Sequence, residues 1–373
     1  MRFISAAATA AVTLAAASGL VAAHGPESKS EVREFHDRQK TMYHCAPQIA
    51  AYNAQRRADW SQKVLGGAPL AAKKYFVDGG YKENQVDPAD AAEIMACNPI
   101  TETKIRNSSC VLAPETTEGP YYHTQGHLIR SNMAEYQLGL LFLMNVGVID
   151  VETCEPLPNV LVDLWHANAT GYYAGHPTPK VGMENEKPMA TGPRRGLMSA
   201  YPRTNEEETW LRGALPTDSN GVAEFTSVFP GYYTGRGTHV HVKVFPEWDV
   251  LPNGTFTSTN LIHTGQFFVE DALNVEIDKI HPYNQNPLLA PGKGGRTRNW
   301  EDSLNIYQDS HDNGYMPTFD IEFLGGVLQQ GLIGYVTMGV NTKARYEAKW
   351  TPESGRGGVV SQVPVSSETK TEL

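Results

Sequence analysis

Hydrophobic and polar positions alternate most clearly near the middle of the chain, in His239-Val-His-Val-Lys-Val244. A period of two is that of a β-strand. Alternate residues share a face, so Val240, Val242 and Val244 are expected in a core, with His239 and His241 together on the opposite face. Further strands are expected at Val160–His166, Val222–Phe229, Gly265–Val269, Phe319–Leu324 and Leu332–Val340. The long apolar run Tyr136–Val151 reads as a buried strand with glycine kinks. Cys154-Glu-Pro-Leu-Pro-Asn159 reads as a turn, and Thr217-Asp-Ser-Asn-Gly221 as a hairpin turn ahead of Val222.

The first third has a different period. Ser28-Lys-Ser-Glu31 has the form of a capping box, a helix is expected over 31–45, and Pro47 breaks or kinks it. A second helix is expected from Gln48 to Leu65, ending at Gly66-Gly67. Residues 66–105 look irregular apart from a short helix at Ala89–Ala96. Residues 174–209 form a polar excursion rich in proline and glycine, and 346–373 read as a disordered tail. Strands separated by Gly/Pro turns, without βα alternation, predict a mainly-β chain: a β-sandwich core over 106–345 with an N-terminal helical segment over 24–105, as a cap or a dimer contact.

Composition changes the picture chiefly at the start of the chain. The 373 residues suffice for one large domain or two small ones. The formal charge of −10, the pI near 5.7 and the lack of a basic block argue against nucleic acid as a partner. Arg2, an Ala/Val/Leu run and the small residues Val21-Ala-Ala23 read as a secretory signal over 1–23. No later stretch is long and apolar enough to span a bilayer, so no membrane is expected for the mature form. Cys45, Cys97, Cys110 and Cys154 are an even set in a secreted chain and predict two disulfides, in any of three connectivities. No close cysteine pair favours zinc. Sequons at Asn107, Asn168 and Asn253 predict a glycoprotein, although a glycan on Asn168 would crowd a candidate ligand. Lys370-Thr-Glu-Leu373 differs from an ER-retention signal at one position and is read as chance.

Two imidazoles side by side on a strand make half of a metal site. Tyr232 and Tyr233 lie just upstream across a glycine-rich turn, and a phenolate is a hard anionic ligand. His plus Tyr therefore points to ferric iron before zinc or cuprous copper. A cupin also uses His-x-His, but needs a Glu three or four residues on, whereas here the next is Glu247. Cleavage after Ala23 would expose His24 as the terminal residue, as in a copper monooxygenase; the helical pattern that follows fits a frayed terminus better.

Four blocks occur in order: Thr117-Glu-Gly-Pro-Tyr-Tyr122, Val162-Asp-Leu-Trp-His-Ala-Asn-Ala-Thr-Gly-Tyr-Tyr173, Leu211-Arg-Gly213 and Pro230-Gly-Tyr-Tyr-Thr-Gly-Arg-Gly-Thr-His-Val-His241. Together they resemble the intradiol ring-cleavage dioxygenases, and most of all their secreted fungal branch, over roughly 106–345. The resemblance implies a non-haem Fe(III) held by Tyr173, Tyr233, His239 and His241, with Tyr172 and Tyr232 as the alternatives within each Tyr-Tyr pair. It further implies that Arg236 and Gln266 stabilise charge on the substrate ring, that Tyr233 doubles as a proton acceptor, and that Gly119 and Pro120 wall the substrate pocket. Gly235 and Gly237 let Arg236 leave strand parity; without the resemblance, a surface arginine would be the default. Leu164 and Trp165 are expected in the core. The implied activity is cleavage of a catechol between its two hydroxylated carbons by dioxygen, giving a muconate-type diacid. A secreted metal- and phenol-binding protein without turnover is the alternative from another class.

Overall fold

The computed structural model describes residues 43–65, 119, 121–123, 126–175, 208–312, 317–343 and 346–347. The signal segment, His24, the helix expected before residue 43, the stretch 66–105 with Cys97, Pro120, Cys110, Asn107, most of the 174–209 excursion and the tail beyond Glu347 lie outside these residues.

In chain order the strands are β1 (Leu141–Asp150), β2 (Leu161–Trp165), β3 (Arg212–Pro216), β4 (Val222–Val228), β5 (His239–Phe245), β6 (Glu247–Val250), β7 (Phe256–Leu261), β8 (His263–Phe268), β9 (Asp320–Phe323), β10 (Leu332–Val340) and β11 (Tyr346–Glu347). They form one sheet in the order β4-β1-β10-β9, a second in the order β3-β2-β5-β8, and a small sheet β11-β7-β6. β1 and β10 run parallel; the other pairs are antiparallel. The two larger sheets pack face to face. Phe142, Met144, Val146 and Val148 of β1 share one core with Val162 and Leu164 of β2 and Val240, Val242 and Val244 of β5. Each such fully buried side chain contributes about 1.5–3 kcal/mol of transfer free energy. The chain is thus a mainly-β sandwich.

The helix α1 (Ala46–Leu65) covers the outer face of the first sheet. Pro47 sits in its first turn, where a missing N–H costs nothing, one residue before the expected start at Gln48. Arg56 is buried on the sheet, donating to the side chain and carbonyl of Asn145, to Val336 O at 3.1 Å and to Thr337 Oγ1 at 2.7 Å. Gly147, read above as a kink, lies in an unbroken register with Thr337. Its real constraint is space, since a Cβ there would stand 2.2 Å from Arg56 Nη1. Trp60 meets Tyr335 edge-on, and the Cys45–Cys154 disulfide ties the start of the helix to the turn after β1.

Two further expectations change. β1 begins at Leu141, and Tyr136 and Leu138 before it are exposed. The Thr217–Gly221 turn is not a hairpin, because β3 belongs to the second sheet and β4 to the first. Asp218 Oδ1 accepts from Asn220 N and Val222 N, and this Asx turn carries the chain across the sandwich. β3, β6, β7, α2 (Asp271–Ile277) and α3 (Ile306–Asp312) were not anticipated, and β11 corrects the start of the expected disordered tail, because Tyr346 and Glu347 pair with Leu261 and Asn260 of β7.

Alternation decides where the chemistry can lie. With the valines of β5 in the core, His239 and His241 face away from the first sheet. Arg212, Trp165, His241 and Gln266 then form one rung across β3, β2, β5 and β8.

Candidate metal centre

Two turns deliver the tyrosines to this face. In the first, Asn168 Oδ1 accepts from Thr170 N and Tyr172 N, and Gly171 takes φ +91°. In the second, Gly231 N donates to Asn168 O at 3.1 Å. The turns abut so closely that a Cβ on Gly171 would stand 2.2 Å from Tyr232 O, and one on Gly231 2.3 Å from Asn168 O. Only glycine allows this approach, and it brings Tyr173 and Tyr233 together. Asn168 Nδ2 also donates to Gln137 Oε1 at 3.1 Å.

Four side-chain atoms converge. His239 Nε2 lies 3.1 Å from His241 Nε2, 3.3 Å from Tyr233 Oη and 3.4 Å from Tyr173 Oη; His241 Nε2 lies 3.2 Å from Tyr173 Oη. All four residues are at most 5% exposed. Donors about 2.0–2.1 Å from a shared ion stand roughly 3.3 Å apart at tetrahedral angles, so the set fits a metal ion. His239 Nδ1 donates to Gly237 O at 2.7 Å, which leaves its Nε2 lone pair facing the centre. Trp165 stacks on His241 at 4.7 Å with planes 5° apart, fixing that ring. Trp165 was expected in the core with Leu164; because Leu164 points inward, its neighbour must face the site.

The donor chemistry selects the ion. Burial pushes the Tyr173 hydroxyl well above its ordinary pKa of 10.0, and Tyr233 beside it adds to the shift. Burial also raises Tyr233, against the opposing pull of Arg236. Without a cation both are neutral phenols. Making them phenolates takes a strongly charged hard ion, and binding it releases their protons. The alternatives fall away on geometry. Tyr232 is turned under Arg296, whose Cζ lies 3.9 Å from the ring centroid, and Tyr172 packs with Trp210 and Leu211 as well as the tyrosine cluster. His44 stands near Cys45 and Cys154, but both sulfurs are committed to the disulfide, so no thiolate remains for a metal.

Arg236 is not a surface residue; it is 1% exposed. Gly235 takes φ +77° and turns it inward. Its Nη1 donates to Tyr233 Oη at 3.2 Å, its Nη2 to Gln266 Oε1, and its Nε to Asp302 Oδ2 at 3.0 Å. Burial lowers the Arg236 pKa, but Asp302 and the two tyrosines outweigh it, and the net shift is upward. Gln266 is fully buried, and its Nε2 has no hydrogen-bond partner among the described residues. Gly119 is half-buried with φ +74°, but the contact from its block comes from Tyr121. That ring stacks on Tyr173 at 4.4 Å and meets Tyr233 edge-on at 5.8 Å.

Sequence reasoning also missed the support beneath the site. Arg212 Nη2 donates to Ala174 O at 2.8 Å, next to Tyr173, and its Nη1 donates to His127 Nε2 at 3.4 Å. His127 must then carry its proton on Nδ1, which donates to Asp163 Oδ1. Tyr122 Oη donates to Asp163 Oδ2 at 2.8 Å, and Lys243 Nζ lies 3.6 Å above the Tyr122 ring. Burial pushes Asp163 up to about 8 and Arg212 down to about 9, and holds His127 well below its ordinary value. Strand parity was the available signal: Asp163, Trp165 and Lys243 occupy the same face as His241.

No protein-family model and no curated protein matches the chain. Solved structures similar to it include an intradiol ring-cleavage dioxygenase from Tetranychus urticae, 27% identical over 65% of this chain and 100% of that one, with a TM-score of 0.47. The dioxygenase domain of a dioxygenase carbohydrate-binding protein fusion from the cellulolytic bacterium Streptomyces sp. SirexAA-E is 19% identical over 62% and 98%, with a TM-score of 0.35. Catechol 1,2-dioxygenase from Pseudomonas arvilla C-1 is 17% identical over 61% and 62%, with a TM-score of 0.34.

Proposed function

We propose that this protein is a non-haem Fe(III) dioxygenase that cleaves catechol-type rings between the two hydroxylated carbons. The observation that carries the reading is the convergence of Tyr173, Tyr233, His239 and His241 on one buried point, with a buried guanidinium beside it. Catechol and dioxygen are the proposed partners.

Tyr173, Tyr233, His239 and His241 would hold the ferric ion, which would supply the Lewis acidity that favours deprotonation of a catechol. Tyr233 is the residue suited to accept one of the two protons. Its hydroxyl is already within hydrogen-bond reach of Arg236, so the neutral phenol has a partner once it has taken the proton. Arg236 and Gln266, whose Nε2 has no hydrogen-bond partner among the described residues, are the donors suited to stabilise the negative charge that builds on the ring as dioxygen attacks a carbon bearing oxygen. In a water-poor site such donors act with little reorganisation. Tyr121 and Trp165 hold the ligand rings and keep water from them. The ring then opens between the oxygenated carbons, and both atoms of dioxygen end in the diacid.

We also propose that the chain is secreted. The pattern over residues 1–23 supports this, and so does the Cys45–Cys154 disulfide, a bond suited to an oxidising compartment.

The test is incubation of the iron-loaded protein with a panel of catechols under labelled dioxygen. The expected outcome is oxygen uptake and a muconate-type diacid with one labelled oxygen in each new carboxylate, apart from label lost by exchange. A yellow semialdehyde would show cleavage beside the diol and overturn the reading. Catechol binding without oxygen uptake would leave the non-catalytic binding protein instead.

A further inference from the structure

None of the sequence blocks that pointed to Arg236 contains the residue that holds its guanidinium. Asp302 lies on the long connection between β8 and β9, far from every block quoted above, and is 1% exposed. Its carboxylate accepts from Arg236 Nε at 3.0 and 3.2 Å, from Gly237 N at 2.8 Å and from Leu304 N at 3.1 Å. The same segment is fixed to the turn at a second point, where Ser303 N donates to Gly235 O at 2.9 Å. Asp302 therefore grips both the guanidinium and the backbone just ahead of His239.

A guanidinium has three edges, and here each has its own neighbour. Nε faces Asp302, Nη1 faces Tyr233 and Nη2 faces Gln266. A buried cation without a counter-ion would take the nearest anion, and in the metal-loaded site that anion is the Tyr233 phenolate. With Asp302 in place, the charge is balanced from the side away from the ligands.

We propose that Asp302 is the positioning residue of Arg236: it holds the Nε edge and balances the charge, keeps the guanidinium from closing further onto Tyr233 as its sole counter-ion, and so fixes the placement of Nη1 and Nη2 beside Tyr233 and Gln266. This rests on the ring-cleavage reading above. The variant that tests it is Asp302→Asn, which keeps the shape and an acceptor oxygen but not the charge. It is compared with wild type as the full-length, iron-loaded protein, by visible spectrum and by kcat and KM for catechol.

Iron is expected to stay bound. The phenolate-to-iron absorption should move to shorter wavelength, because a phenolate more strongly hydrogen-bonded by Arg236 gives up an electron less readily. Misaiming of the guanidinium should lower kcat ~10- to 100-fold, with KM changed less than about threefold. Asp302→Glu, which keeps the charge, should recover part of both. In an Arg236→Gln background, Asp302→Asn should change neither quantity further. An iron-loaded Asp302→Asn protein with wild-type band and kcat would overturn the proposal, and so would a full further loss in the Arg236→Gln background. If the single variant does not fold, the Arg236→Gln/Asp302→Asn pair, which buries no unpaired charge, decides. A folded double variant that binds iron supports the coupling, and an equally unfolded one refutes it. A wild-type protein whose bound iron gives no visible band would instead bring down the ring-cleavage reading, and this proposal with it.

Discussion

Replacing Arg236 by lysine separates charge from shape. The guanidinium spans a gap between Asp302 on one side and Tyr233 and Gln266 on the other. Lysine keeps the charge but offers one compact, strongly hydrated nitrogen on a flexible stem. That nitrogen will stay with the buried carboxylate of Asp302, where an unpaired charge would be most costly, and the Tyr233–Gln266 side loses its donors. In a preorganised site the loss of one donor to developing charge costs about 3 kcal/mol, and at about 1.4 kcal/mol per tenfold this is roughly a 100-fold fall in kcat. Iron binding should be untouched, because none of the four converging atoms belongs to Arg236. The assay is oxygen uptake at saturating catechol, with iron content and the visible band measured on the same sample. Full iron with wild-type kcat would show that the guanidinium does not act on the ring, and full loss of iron would show that its role is to hold the metal site together.

His239→Ala and His241→Ala should each lose iron and the visible band, since each removes one of the four donor atoms; metal analysis showing stoichiometric iron in both would rule out the site. Non-reducing peptide mapping should find Cys45 joined to Cys154, with Cys97 and Cys110 forming the second pair. Cys45→Ser with Cys154→Ser should lower stability by about 2–5 kcal/mol in urea unfolding, because the bond closes a loop of sequence separation 109; unchanged stability would mean that the helix α1 is held by its sheet contacts alone.

Much of the fold was legible because alternation is a strong local signal. β5 falls where its period-two run predicted it, β2, β4, β8 and β10 fall on the other expected strands, and α1 falls within two residues of the expected helix. What failed had no local signal. β3 is short, and its Arg212-Gly-Ala-Leu-Pro216 sequence has no alternation; it is a strand because β2 pairs with it. The Asp218 turn has the composition of a hairpin turn, and nothing within the segment says that β4 belongs to the other sheet. Gly147 looked like a kink because its neighbour Arg56 is remote in sequence.

The site divides in the same way. The sequence by itself determined that His239 and His241 share a face, that glycines bracket Arg236, and which residue types stand in the two Tyr-Tyr turns, because each of these is a matter of spacing along one short segment. Which tyrosine of each pair reaches the histidines was implied by the resemblance alone; in the structure it follows from how closely the Gly171 and Gly231 turns meet. Only the tertiary structure decided that Trp165 clamps His241, that Tyr121 lies against both phenols, and that Asp302 balances Arg236. Those contacts join strands and loops distant in sequence. The physical reason is burial: a charge or phenol enclosed by the fold needs partners, and the fold, not the neighbouring sequence, determines which ones lie within reach.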